Sequence, residues 1–535
     1  MEIYLRDHQI WSTLSTSLLT VLLMWVAYII VGMVDKFVIT PMRIKRIMNR
    51  QGVKGPYPHL FLGNMPELIA LAKAEEEKDM KTGDYDIVSH ILPFHVQNCQ
   101  AYGKSYLWWF GWEPRITITD LDLIKQVLTN KDHVFTKSQM MVSSTKPVIG
   151  KGLVTTNGEE WALHRRIVNP AFHHENLKAM VVAMEKSASS MVDEWEKKVR
   201  DGGGHVELEV GAYMTHVTAD IISRTAFGSS YEKGKKVFEQ QVALINLIGQ
   251  RRRQRFGAMP GYSLLPMPLN IKIVLTQIAI SSSLKQIIQS RKDMVKTTDN
   301  ASYGNDLLGL MLGATMEETT IKGGKIHFDM KALMDNCKTF FIAGHETTAT
   351  LLTWAMMLLA SHTTWQERAR EEIIKVCGHG DNAIDANMFN KLKTLTMILN
   401  ETLRLFSPIS GQNREASMDT KLGDLHIPKG LNLHFPRLAI HHDPKFWGTD
   451  VHEFKPERFI NGITNASKNS FAFMPFSFGP RFCVGQGFAL EEAKLVLVLV
   501  LQRFRFHLSP NYRHAPYDKV TIRPKYGVPV ILECL

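Results

Sequence analysis

From Gln9 to Val34 the chain carries no Asp, Glu, Lys or Arg, and Leu18–Val34 is nearly all apolar. A helix rises about 1.5 Å per residue and a bilayer's hydrocarbon core is roughly 30 Å thick, so about 20 such residues span it. Beyond this run the pattern changes. Apolar residues recur three and four apart over Leu121–Thr129, Leu177–Val199, Ala219–Phe227, Lys233–Leu247 and Ile271–Met294, which predicts helices. A long apolar stretch from about Asp329 to Ser361 and another over Phe488–Phe504 predict two more. Strand-like runs are shorter and fewer: Arg115–Thr119, Leu431–Pro436, and Val520–Ile522 with Val528–Leu532. There is no internal repeat. The expected fold is mainly α with small β-sheets, preceded by one N-terminal transmembrane helix.

A removed signal peptide is the other reading of the apolar start. Its short basic opening and small-residue cleavage site are absent, and large residues continue through Trp25, Tyr28 and Phe37. Lys36, Arg43, Lys45, Arg46, Arg50 and Lys54 follow the run, while Glu2, Arg6 and Asp7 precede it. The positive-inside bias then keeps everything after the helix in the cytosol. Gly55-Pro56-Tyr57-Pro58, with Pro66, reads as a stiff hinge. The expected organisation is a short lumenal N-terminus (1–12), a transmembrane anchor (13–34), a basic and proline-rich hinge (35–66) and a catalytic domain (67–535).

Composition narrows the class. Of 535 residues, 45% are hydrophobic and 21% charged, values of a globular protein with a sizeable core. The five cysteines, Cys99, Cys337, Cys377, Cys483 and Cys534, are scattered and form no CxxC, which argues against a disulfide scaffold or zinc ribbon. A net charge of +11 suits an anionic partner without choosing among nucleic acid, lipid and protein. Arg251, Arg252, Arg253 and Arg255 lead into an apolar, proline-broken segment that suits either a membrane surface or a solvated turn. His173-His174 and His441-His442 lack metal-ligand partners at useful spacing and read as turn residues. Asn300-Ala-Ser and Asn465-Ala-Ser are sequons, left unmodified by a cytosolic topology.

The candidate chemistry centres on Phe476-Ser-Phe-Gly479-Pro-Arg481-Phe-Cys483-Val-Gly485, running into the helix at Phe488. A glycine turn lets backbone N–H groups approach a sulfur, and a helix beginning just after it adds its positive end, so the thiolate is favoured. Phe, Gly, Arg, Cys and Gly fall at the F-x-x-G-x-R-x-C-x-G spacing, and the segment resembles the haem loop of the cytochrome P-450 superfamily. Three further motifs are similar to that family's in the same order along the chain. Trp161-Ala-Leu-His-Arg165 resembles W-x-x-x-R, which holds the haem propionates; Arg414 and Arg481 are implied to complete that clamp. Ala343-Gly344-His-Glu346-Thr347 resembles the oxygen-side helix: small residues leave room for dioxygen, and a carboxylate and a hydroxyl relay protons. Glu401-Thr-Leu-Arg404 resembles E-x-x-R, implying a structural network with Arg458.

The resemblance implies the cytochrome P-450 fold and a haem whose axial thiolate is Cys483. It further implies a monooxygenase that hydroxylates a small, largely apolar molecule. No strand–GxGxxG–helix unit is present, so the chain needs an electron-donating partner; the resemblance implies that this is a separate flavin reductase drawing on NADPH. Partners are then that reductase, the lipid membrane and a lipophilic substrate, with no nucleic acid, for a monomer in the endoplasmic reticulum membrane. Thr218–Thr225, Phe227–Tyr231 and the segments Tyr512–Pro516 and Lys525–Val528 look like the plant seventy-two clan. Within it the chain looks nearest to cytokinin hydroxylases and fatty-acid-hydroxylating neighbours, with terpenoid and steroid hydroxylases as alternatives. Ile409–Asn413 is expected to face the substrate, with Gln412 and Asn413 either binding a polar group or pointing away. Two other readings are a peroxide-rearranging haem-thiolate enzyme and a non-catalytic haem-binding membrane protein.

Overall fold

A computed structural model describes residues 2–59, 62–130, 132–228, 231–253, 261–297, 303–316, 320–321, 324–325, 327–379 and 384–535. The N-terminal helix α1 (Glu2–Val34) does not stop where the charge begins. It passes through a π-turn at Asp35–Ile39 into α2 (Thr40–Arg50). The expected hinge is therefore helical over its first half. Pro41 sits in the first turn of α2, where a missing N–H costs nothing, and the next breaker is Gly52. The stretch Thr16–Arg50 contains an apolar window of mean hydropathy 2.4, and no residue of that window is buried, whereas Ile44 and Met48 of α2 pack into the core. The rest of the hinge is packed. The Lys54 carbonyl accepts from Leu107 N at 2.9 Å, and a side chain at Gly55 would collide with the Leu107 carbonyl.

Strands β1 (Tyr106–Phe110), β2 (Glu113–Thr117), β3 (Phe135–Thr136), β4 (Gln412–Ala416) and β5 (Asn432–Phe435) form one sheet in the order β1-β2-β5-β4-β3. Leu433 pairs with Ile116 on one side and Arg414 on the other, while Thr136 pairs with Glu415. This register matters for function. It gathers Lys137, Arg414 and Arg437, which lie far apart in sequence, at neighbouring ends of three adjacent strands. The expected strand at Val520–Ile522 is instead the tip and second arm of a hairpin, Pro516–Asp518 with Ile522–Pro524. Val520 sits exposed at its turn, a place where its strand propensity is overridden.

The helical body is built on four elements: α3 (Gly158–Val168), α4 (Val210–Phe227), α5 (Met330–Ser361) and, later in the chain, α6 (Lys393–Leu405). Helix α5 starts where the sequence predicts, because Asp329 caps it by accepting from Ala332 N at 2.7 Å. From Thr348 to Ala360 every residue of α5 is buried, as expected of a helix apolar on all faces. Gly344 lets α5 approach α4: a Cβ there would meet the Ile222 side chain at 2.8 Å. Phe227 and Phe341 stack across the same contact with ring centres 4.1 Å apart. Helix α7 (Arg437–His441) follows β5, and α8 (Gln486–Arg503) runs from the cysteine loop into the core, buried without interruption from Leu495 to Leu501. Two predicted features fall outside the described residues: the Asn300 sequon, and the arginine-rich loop beyond Arg251, including the side chains of Arg252, Arg253 and Arg255.

Candidate active site

Opposed elements frame a cavity of about 890 Å³. One wall is α5, contributing Ala343, Gly344, Thr347 and Thr348; the opposite wall is the loop Phe476, Arg481–Gly485. Leu153, Val154, Phe172, Ile222 and Phe340 make much of the remainder apolar.

The loop holds Cys483 by local geometry. Gly479 takes φ +73°, and a Cβ at that position would collide with the Leu128 carbonyl, so only glycine fits the turn. Ser477 also adopts a left-handed φ of 64°. The turn closes through Phe482 N donating to the Gly479 carbonyl at 3.0 Å and Cys483 N to the Phe476 carbonyl at 2.9 Å. Cys483 opens onto the cavity rather than onto bulk water. Burial raises its thiol pKa, while the Gly485 backbone N–H, Arg165 and Arg437 pull it back down. Gly485 is also the cap position of α8, so the positive end of that helix faces the sulfur.

Cations crowd the sheet side of the cavity. Arg481 donates to the Thr156 carbonyl at 3.0 Å and to Asn157 Oδ1 at 3.1 Å, and its guanidinium lies over the Trp161 ring at 4.4 Å. Arg165 donates to the Phe482 carbonyl at 2.8 Å. Arg414, 2% exposed, donates to the Asn413 carbonyl at 2.9 Å. Burial, then repulsion by Arg481 and Arg437, pulls the Arg414 pKa down to about 9. The same causes, with Arg414 added, hold the Lys137 ammonium well below its ordinary value. Arg437 donates to the Pro475 carbonyl and to Gln412 Oε1, each at 2.8 Å, yet its buried Nε finds no acceptor. No carboxylate among the described residues offsets these five cations. Burying unpaired positive charge is costly unless an anion is brought in. A flat apolar group with two carboxylates on one edge and a metal needing a thiolate fits this set: sulfur on one wall, apolar sides, cations at one rim.

Glu346 does not join Thr347 at the cavity. The Thr347 hydroxyl donates to the Ala343 carbonyl at 2.9 Å, on the cavity wall. The Glu346 carboxylate instead accepts from the Thr521 hydroxyl at 3.0 Å and meets the Arg523 guanidinium, with His345 Nε2 3.9 Å away. Successive helical residues point about 100° apart, so neighbours in sequence need not share a face. On that other side of α5 lies a second, more polar cavity of about 580 Å³, bordered by Glu209, Thr350, Thr353, Tyr517 and Arg523.

The remaining predicted residues are structural in position. Glu401 and Arg404 are fully buried and bidentate, with both contacts at 2.7 Å. Arg458 Nε lies 3.4 Å from Glu401, and Arg404 also donates to the His441 and Val451 carbonyls. Gln412 and Asn413, expected near substrate, are engaged by the protein itself: Gln412 by Arg437, and Asn413 Oδ1 with His434 Nδ1 at 2.8 Å. His441 is the last residue of α7 and His442 lies in the turn after it, both buried; His441 Nε2 accepts from Met474 N at 3.0 Å. Lys137 and Arg437 escaped sequence reasoning, since a lone cation after a short strand carries no signal until the sheet register assembles it.

The family model described as Cytochrome P450 matches residues 85–528. A cytokinin hydroxylase of Arabidopsis thaliana is 41% identical over 93% of this chain and 94% of its own. Cytochrome P450 72A15 of the same plant is 41% identical over 92% of this chain and 94% of its own. An echinocystic acid 23-monooxygenase of Saponaria officinalis is 38% identical over 92% and 94%. The chain belongs to the cytochrome P450 family, as a monooxygenase of its seventy-two clan.

Proposed function

We propose that this monooxygenase hydroxylates a small, largely apolar plant metabolite, a hormone of the cytokinin class, with Cys483 as the thiolate ligand of a haem. The observation that carries this reading is Cys483, held on a glycine turn and facing Ala343, Gly344 and Thr347 across a cavity with apolar sides and a cationic rim. Lys137, Trp161, Arg165, Arg414, Arg437 and Arg481 would hold the propionates, and the cations would be neutralised in doing so. When bound, the haem supplies reductive activation of dioxygen and delivery of one oxygen atom to a C–H bond.

The chain's own residues do the rest. Gly485 N–H and the start of α8 keep the Cys483 sulfur as thiolate. Ala343 and Gly344 keep that part of the wall free of bulk. Phe340, Phe172 and Ile222 exclude water and favour an apolar substrate. A proton arriving from the polar cavity is taken up on the Glu346 carboxylate when Arg523 releases it, and passes toward the Thr347 hydroxyl, whose oxygen remains free to accept. Placing the acid behind the helix supplies protons without opening the reaction space to water.

Electrons come from an NADPH-dependent flavin reductase, attracted by the basic surplus of the chain. The exposed apolar helix Thr16–Arg50 anchors the enzyme as a monomer in the endoplasmic reticulum membrane, body on the cytosolic side. The relative named for a triterpenoid acid favours a second substrate class, terpenoids. Substrate-induced shifts of the Soret band, read across cytokinins, fatty acids and triterpenoid acids, test the proposal. Saturable shifts and reductase-dependent hydroxylation of cytokinins support it. Shifts by triterpenoid acids alone favour the second class, and product formation from hydroperoxides without reductase overturns the monooxygenase reading of the site.

A further inference from the structure

Away from the cavity, Asp86, His442 and His452 converge from three separate segments, their ligand atoms all within 4.8 Å of one another. Asp86 precedes the short helix Val88–Ile91, His442 lies in the turn after α7, and His452 lies in the loop that covers Arg404. We propose that these three side chains form a binding site for a tetrahedral divalent metal ion of the zinc type.

The geometry points to such an ion. The Nδ1 atoms of His442 and His452 face each other at 3.4 Å. Two ligands on a tetrahedral zinc, each about 2.0–2.1 Å from the ion, lie about 3.3–3.4 Å apart. Asp86 Oδ1 is 3.7 Å from His452 Nδ1, a few tenths of an ångström beyond that edge and within reach of a rotamer adjustment. The tautomer of His442 is fixed: its Nε2–H donates to the Leu405 carbonyl at 3.0 Å, which leaves the Nδ1 lone pair aimed at His452. A ligating imidazole whose other nitrogen donates to a carbonyl is the arrangement that orients histidine at zinc. Without a metal, the single Nδ1 proton of His452 would have to serve both His442 and the Asp86 carboxylate. With one, all three act as ligands, and water from the exposed side completes the fourth position.

The site would act as a staple. His452 neighbours Val451 and Glu453, whose carbonyls accept from Arg404 at 2.7 and 3.3 Å. Tyr85, the neighbour of Asp86, packs edge-on against Phe406, ring centres 5.8 Å apart. Zinc there would tie the start of the catalytic body to the loop that closes the Glu401–Arg404–Arg458 network.

The test uses the untagged, full-length, haem-loaded enzyme in detergent, stripped with chelator and titrated with zinc by calorimetry. Because His442 is buried, the variants are His452→Ala and Asp86→Asn, both half-exposed. The expected result is a single zinc per chain, with each variant weakening binding at least about tenfold at unchanged haem content. X-ray absorption at the zinc edge should show two imidazoles in the wild type. Zinc binding of equal strength in both variants would place the ion on other surface histidines and overturn the proposal. So would a wild type that takes up none.

Discussion

Arg523 and Glu346 form an ion pair on the side of α5 that faces away from the cysteine, with Thr521 Oγ1 3.0 Å from Glu346 Oε1 as a second tie. The acid is thereby tied to Arg523, which borders the polar cavity, while the alcohol, Thr347, lines the reaction space. Replacing Glu346 by Gln should slow product formation by about 10²-fold, the scale of lost proton transfer, with NADPH still consumed and peroxide released. Thr347→Ala should likewise divert NADPH to peroxide. Arg523→Gln should change product per NADPH and the solvent isotope effect, at constant haem content and substrate-induced spectral shift. Unchanged coupling in all three variants would remove the relay from the account.

Glu492 on α8 is fully buried. Burial raises its pKa well above the ordinary value, with Thr348 only partly opposing. In the unfolded chain a Glu titrates near about 4.3, so above that pH the unfolded state has lost a proton that the folded state keeps. Stability then falls as pH rises from the unfolded value toward the raised folded one. Glu492→Gln should flatten that fall, with chemical denaturation midpoints of wild type and variant diverging as pH rises. Parallel pH profiles would contradict the assignment of a neutral buried acid.

The Glu401–Arg404 pair is entirely out of water, its geometry bidentate. Removing one partner leaves a buried charge without its counterpart, at a cost of about 3–5 kcal/mol. Arg404→Leu should therefore lose haem incorporation on expression, while Arg368→Ala, whose contact to Glu457 is exposed at 3.5 Å, should shift stability by less than about 1 kcal/mol. Haem content per chain and urea midpoints provide the check.

Much of this was legible in the chain. The cysteine loop is contiguous, so its spacing survives without knowledge of the fold, and Asp329 marks the start of α5 by its cap. Other features depend on pairing. Tyr106–Phe110 is apolar at every position, which periodicity cannot assign to strand or helix, and it proves to be a strand buried on both faces. Lys137 and Arg437 become a pair only through the register of β3, β4 and β5. Glu346 and Thr347 are adjacent in sequence, yet α5 turns Thr347 toward the cysteine cavity and Glu346 toward Thr521 and Arg523. His442 reads as a turn residue until Asp86 and His452 are brought beside it by the packing of three segments.

The continuity of α1 with α2 bears on anchoring. Deleting residues 1–34 should shift the enzyme largely from the membrane to the soluble fraction while sparing haem content, because the catalytic body buries its own core without that helix. A membrane fraction equal to wild type would assign anchoring to α2 and the apolar residues Leu264, Leu265 and Ile271 instead.

The ligand assignment is most directly tested by the CO-bound ferrous spectrum of Cys483→Ser against wild type. The wild type should show the red-shifted Soret band of a thiolate-ligated haem. The variant should lose that band, whether or not haem remains bound. A variant that retains it would contradict Cys483 as the ligand, and with it the reading of the cavity.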